Sequence, residues 1–213
     1  MKYKAIIFDW DGTLMDSVGK IVETMQSSAA QLGLPVPDYA QAKDVIGISL
    51  LPALKKLFQI DDEQQAMTLF DTYKSHFKQH REISSPLFKG AIELLNSLKR
   101  KGYVLAVATG KGRQGLELNW HHSNTADYFI TARTADDAQS KPSPDMLQQI
   151  LTELELTAAE VLMVGDTTYD MALAEAINMD RIGVSFGVHC PERLRKHKPI
   201  AVIDSLEQLL NHI

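Results

Sequence analysis

With 213 residues and an apolar fraction of 45%, the chain can bury the core of one large domain or two small ones, and its composition excludes a disordered or fibrous protein. A formal charge of −5 argues against a nucleic-acid surface, which is usually strongly basic, and points instead to a small-molecule partner. Cys190 is the only cysteine, which rules out an internal disulfide; no apolar stretch reaches membrane-spanning length and no signal-type segment follows Met1, so the expected address is the cytoplasm, away from membranes.

The first predicted element is a buried strand over Ala5–Phe8, which runs into Asp9-Trp10-Asp11-Gly12-Thr13. Two carboxylates two residues apart at the end of a buried strand repel each other and resist joint ionisation. A divalent cation that prefers oxygen ligands relieves that repulsion, so Asp9 and Asp11 are a candidate magnesium site. Residues 17–83 contain no convincing strand. Helical spacing of Val18, Ile21, Val22 and Met25, and later of Leu69, Phe70, Tyr73 and Phe77, predicts an inserted helical domain standing over the carboxylates. Its return is the turn-prone Ile83-Ser84-Ser85-Pro86, and hinge motion is expected there and near Asp16-Ser17.

Residues 1–16 and 84–213 alternate between helical and strand patterns. Ala91, Leu94, Leu95 and Leu98 mark a helix closed by Gly102, and a strand follows at Val104–Ala108, with a weaker one at residues 128–131. Ser143-Pro144-Asp145 predicts a serine cap with proline in the first turn of a helix whose face is Met146, Leu147, Ile150, Leu151 and Leu154. Further strands are predicted at residues 161–164 and 182–185, and a weaker one at Ala201–Ile203. This alternation predicts a doubly wound, Rossmann-like α/β parallel sheet. Residues 187–199 form a basic loop or short helix of unassigned purpose.

In such a sheet, ligands bind beyond the carboxyl ends of the strands, so whatever follows each apolar run should converge. The residues there are Asp9 and Asp11, then Thr109-Gly110-Lys111-Gly112, then Gly165-Asp166-Thr167-Thr168-Tyr169-Asp170, with Lys141 preceding the helix that leads to the third of these strands. Acids for a metal, a hydroxyl and glycine amides for phosphate oxygens, and a lysine to offset negative charge suit phosphoryl transfer. Elsewhere, His121-His122 is read as surface, Trp10 as core or as cap-facing, and His76, His80 and Arg81 as facing either substrate anions or solvent. Asparagine at position 178 tolerates a left-handed backbone.

Asp9–Thr13, Thr109, Lys141 and Gly165–Asp170 together resemble the four motifs of the haloacid dehalogenase-like hydrolase superfamily. The likeness covers nearly the whole chain. Asp9 to Ser17, with Val45-Ile46-Gly47-Ile48-Ser49, resembles its phosphoglycolate-phosphatase-like branch, which carries an α-helical cap after the first motif. The resemblance implies a small phosphorylated metabolite as substrate and Mg2+ as cofactor. It implies Asp9 as the nucleophile that becomes an aspartyl-phosphate and Asp11 as general acid and base. By the same resemblance the metal is held by the Asp9 carboxylate, the Asp11 carbonyl and Asp166. Asp170 stands behind them, near Lys141, which shields the nucleophile and phosphate from each other. Thr109, Gly110 and Lys111 are implied in phosphoryl binding, Gly12 and Thr13 in the substrate loop, and Gly47, with the Lys43 neighbourhood, in specificity. A sugar phosphomutase and a non-catalytic phosphate- or protein-binding module are the alternatives, and either a monomer or a homodimer is expected.

Overall fold

The computed structural model describes residues 2–79 and 85–213. The expected domain boundary at residues 83 and 84, and with it His80 and Arg81, lies outside the described residues. Six parallel strands form one sheet in the order β3-β2-β1-β4-β5-β6: β1 (Ala5–Phe8), β2 (Val104–Ala108), β3 (Thr131–Arg133), β4 (Val161–Gly165), β5 (Asp180–Val184) and β6 (Ala201–Ile203). The chain therefore winds outward from β1 in one direction and then in the other. Phe8 pairs in register with Val107 and Val164, so the residues just past all three strands emerge together at one edge, on either side of the reversal point.

Strand alternation divides the burial between two faces. Ile6 and Phe8 pack with Leu94, Leu95 and Leu98 of α5 (Ala91–Arg100) and with Leu206 and Leu209 near the C-terminus. Ala5 and Ile7 pack on the other side, against Met146, Leu147 and Ile150 of α7 (Asp145–Leu154) and Leu173 of α8 (Thr168–Glu175). Between these helices in the chain lies α6 (Arg113–Ser123), and α9 (Pro191–Arg195) follows β5.

Two expectations are displaced. Residues 128–131 form a strand only at Thr131, because Tyr128 and Phe129 close tight i−3 turns on Thr125 and Ala126. The pairing then runs on to Arg133, whose carbonyl accepts the Thr109 amide at 3.0 Å. At the start of α7, Pro144 rather than Ser143 occupies the cap position and Asp145 opens the helix; the Asp145 carboxylate accepts the Gln139 amide at 2.8 Å. Asn178 adopts φ +52°.

Residues 17–79 form α1 (Val18–Gln31), α2 (Tyr39–Asp44), α3 (Leu50–Phe58) and α4 (Glu63–Gln79). Their apolar stripes, including Val22, Met25, Leu54, Leu69 and Tyr73, make a separate buried cluster. The segments leading in and out run side by side: Asp16 donates to the Pro86 carbonyl at 2.8 Å and Phe88 to that of Leu14 at 2.9 Å. Among the described residues no helix is long and apolar enough to cross a membrane.

Candidate active site

Asp9 follows β1 directly and is 1% exposed. Its Oδ1 accepts from Lys141 Nζ at 2.6 Å, whereas Oδ2 is buried with no hydrogen-bond donor among the described residues. A buried carboxylate oxygen without a donor is costly unless an ion or substrate completes it. Lys141, 2% exposed, makes a second bond of 2.6 Å to Asp170 Oδ1. The other Asp170 oxygen accepts from the Thr167 amide at 3.0 Å and the Thr167 hydroxyl at 2.6 Å, which closes a capping box at the start of α8. Both oxygens of Asp170 are thus committed within the protein.

Asp166 emerges beyond β4 fully buried. Thr13 Oγ1 donates to its Oδ1 at 2.9 Å and the Val188 amide to its Oδ2 at 2.7 Å. Gly12 makes room for this acid: a β-carbon there would lie 2.3 Å from Asp166 Oδ2, and its φ of +89° is one that side-chain-bearing residues rarely adopt. Gly12 and Thr13 therefore serve the placement of Asp166.

One oxygen from each of Asp9, Asp166 and Asp170 lies within 4.8 Å of the others. Burial pushes Asp9 well above the ordinary carboxylate range; Lys141 opposes this, and Asp170 and Asp166 reinforce it. Burial, aided by the charge of Asp170, raises Asp166 to about 7. Lys141 feels burial in the opposite sense, but Asp170 and Asp9 outweigh it and keep the ammonium charged. One cation faces three buried acids. The donorless Asp9 oxygen and this excess of negative charge fit a hard divalent cation that takes oxygen ligands.

The Asp11 side chain stands apart from this group. Ser17 Oγ donates to its Oδ1 at 2.6 Å, and Lys111 Nζ lies 3.0 Å from Oδ2. Ser17 holds the cap position of α1, yet its hydroxyl bonds to Asp11 and not to the helix. Thr109 is 1% exposed and its Oγ1 accepts the Lys111 amide at 3.2 Å. Gly110 lies beneath the loop before α3, where a β-carbon would come within 2.6 Å of the Ile48 carbonyl oxygen. Gly47 meets Thr167 similarly, at 2.8 Å from its methyl group. A cavity of about 1670 Å³ between the helical cluster and the sheet edge is lined by Asp9, Asp11, Gly47, Thr109 and Lys111 among others. Lys43 is not part of its wall.

Several residues in the site were not expected from sequence. Ser17 closes the motif stretch that resembles the family branch, but no role for it follows from the sequence. Tyr73 and Phe77, which also line the cavity, show in the sequence only the pattern of an apolar helical stripe. The basic segment acquires a purpose: Val188 holds Asp166, His189 Nδ1 accepts the Thr168 amide at 2.8 Å, and Arg193 forms an ion pair with Asp44 at the end of α2. Lys56 Nζ adds a bond to Tyr169 Oη at 2.9 Å. No periodicity signals such long-range pairs. Trp10 is core, fully buried, its indole N–H donating to Asn119 Oδ1 at 3.2 Å, and His121 and His122 are exposed.

A family model described as haloacid dehalogenase-like hydrolase matches residues 6–184. The chain is 31% identical over 209 residues to "Probable phosphatase IndB" of Dickeya dadantii (strain 3937), covering 96% of this chain and 91% of that one. It is 30% identical over 219 residues to a phosphoglycolate phosphatase of Vibrio vulnificus (strain YJ016), covering 98% and 95%. Among solved structures, a hydrolase from Pseudomonas syringae superposes with a TM-score of 0.89 at 26% identity, over 99% of this chain and 97% of the other.

Proposed function

This chain belongs to the haloacid dehalogenase-like hydrolase family and is a phosphoric monoester hydrolase; from that premise we propose that it cleaves a small, phosphoglycolate-like monoester with Mg2+, by way of an aspartyl-phosphate at Asp9. The observation that carries the reading is the asymmetry of the Asp9 carboxylate. Lys141 fixes Oδ1, and Oδ2 is buried with no donor among the described residues, in a carboxylate grouped with Asp166 and Asp170.

Attack by an Asp9 oxygen forms an O–P bond as the bond from phosphorus to the leaving oxygen breaks. Asp11, placed by Ser17 and Lys111 on the cavity side, gives its proton to the departing alkoxide. In the second half, Asp11 takes a proton from water, the water oxygen joins phosphorus, and the O–P bond to Asp9 breaks to release phosphate. Thr109 and the amides after it bind phosphoryl oxygens, while Lys141 offsets the charge shared by nucleophile and phosphate. Asp9, the Asp11 carbonyl and Asp166 would hold Mg2+, which neutralises phosphoryl charge when bound. The cap closes over substrate and limits water at the reacting centre.

Hydrolysis of 4-nitrophenyl phosphate by the magnesium-supplemented protein tests the reading. Activity is expected, with loss on chelation and in Asp9→Asn. No activity, or an Asp9→Asn variant equal to the parent, overturns it.

A further inference from the structure

Above Asp11 the cavity wall carries two lysines on a single aromatic ring. Lys20 Nζ from α1 lies 4.7 Å from the Phe77 ring centroid, and Lys111 Nζ, from the loop after β2, lies 5.3 Å from it. Lys111 also contacts Asp11 Oδ2. Lys20 has no carboxylate partner among the described residues, and both lysines line the cavity with Tyr73 and Phe77. The two ammonium groups, gathered on one ring, repel each other. Burial, and then the charge of Lys111, lowers the pKa of Lys20. Phe77 attracts both cations through its ring face, but it cannot neutralise them.

An anion would relieve this pair, and its place in the cavity fixes which part of a substrate supplies it. The phosphoryl group under attack belongs at Asp9 and Thr109, whereas Asp11 faces the leaving oxygen. An anion reaching Lys20 and Lys111 must therefore sit on the leaving-group side, a short distance beyond that oxygen. Building on the phosphatase reading above, we infer that Lys20, Lys111 and Phe77 form a leaving-group subsite for a second oxyanion. Lys20 is its specificity-determining residue. The preferred substrates are monoesters whose alcohol carries a carboxylate or a second phosphoryl group.

The test compares kcat/KM of the magnesium-loaded enzyme for phosphoglycolate, for its uncharged amide and for ethane-1,2-diol bisphosphate. A charge-assisted contact of this kind predicts that at least one anion-tailed ester is favoured over the amide by about tenfold or more. Lys20→Met should lower that ratio by about fivefold or more, chiefly through KM, and Lys20→Arg should restore most of it. Sensitivity with the carboxylate or with the phosphoryl tail supports the subsite and identifies which oxyanion it takes. A ratio near one for both tails in the unsubstituted enzyme, or equal losses on charged and uncharged esters in Lys20→Met, overturns it. Turnover of 4-nitrophenyl phosphate is followed in parallel: its absence strikes the phosphatase reading, whereas its presence without tail discrimination strikes the subsite alone.

Discussion

The sheet edge and the cap-facing wall of the same cavity are built on opposite terms. At the edge, the Asp166 and Asp170 oxygens and the Lys141 ammonium are tied to named partners within the protein, and Asp9 Oδ2 alone is left without a donor. On the opposite wall, Lys20 rests on a ring without a carboxylate partner among the described residues, and Lys74, exposed, lies over Phe70, 5.1 Å from its centroid. The difference separates two demands. Phosphoryl transfer needs groups that do not reorganise, whereas discrimination among leaving groups is made by long, adaptable side chains that can still be recruited.

The comparison breaks first, and most severely, at Asp9. Asp9→Asn should lower kcat for 4-nitrophenyl phosphate by about 10³-fold or more, since the proposed nucleophile is removed; steady-state assay with an unchanged circular-dichroism spectrum reads this. Lys141→Met comes next and should damage both activity and folding, because it leaves Asp9 and Asp170 buried without their cation. A loss of about 3 kcal/mol in urea denaturation is expected, moderated where the acids take up protons.

The third prediction concerns the acids themselves. Folded Asp166 binds its proton more tightly than the unfolded chain does, with a pKa of about 7 against an ordinary value of 3.8. Its stabilising protonation is complete below the lower value and is lost as pH rises through the upper one. Asp9 shifts in the same direction. In chelator the melting temperature measured relative to that of Asp166→Asn should therefore fall as pH rises between these values and level off above, and magnesium should reverse the fall. A relative melting temperature that rises over that window without metal would contradict the charge excess at the sheet edge.

The smallest effect belongs to the cap contact. Asp44 and Arg193 are each more than a third exposed, so Arg193→Gln should alter kcat or KM by only about two- to threefold. Burial raises the Asp44 pKa, but Arg193 outweighs it, and the group ends below its ordinary value. The contact is thus present above the usual carboxylate pKa and weakens as pH falls through the lowered one. Faster hydrogen exchange across α2 in Arg193→Gln would show that it holds the cap.

Much of the architecture could be read from the chain because it depends on local pattern. β1, β2 and β4 are short apolar runs with few other ways to be buried, and α5 and α7 show continuous apolar faces. The third strand lies a few residues later than its pattern suggests, since three residues carry too little pattern to outvote the tight turns before it. Asp9, Thr109 and Asp166 could be proposed together because parallel strands deliver their ends to one edge, and Lys141 joined them through the resemblance. The partners of those residues were not legible. Ser17 to Asp11, Thr13 to Asp166 and Lys20 to Phe77 join residues that no spacing rule connects, and the last pair depends on how two cap helices pack.

Val188 has a double attachment with a mechanical consequence. Its side chain is counted among the apolar residues of the inserted helices, while its amide donates to Asp166. The insertion is consequently no detachable cover. Excising it would strip the anchor from the loop that steadies Asp166, so on the proposed reading a minimal enzyme made of the sheet alone should lose cation affinity together with selectivity.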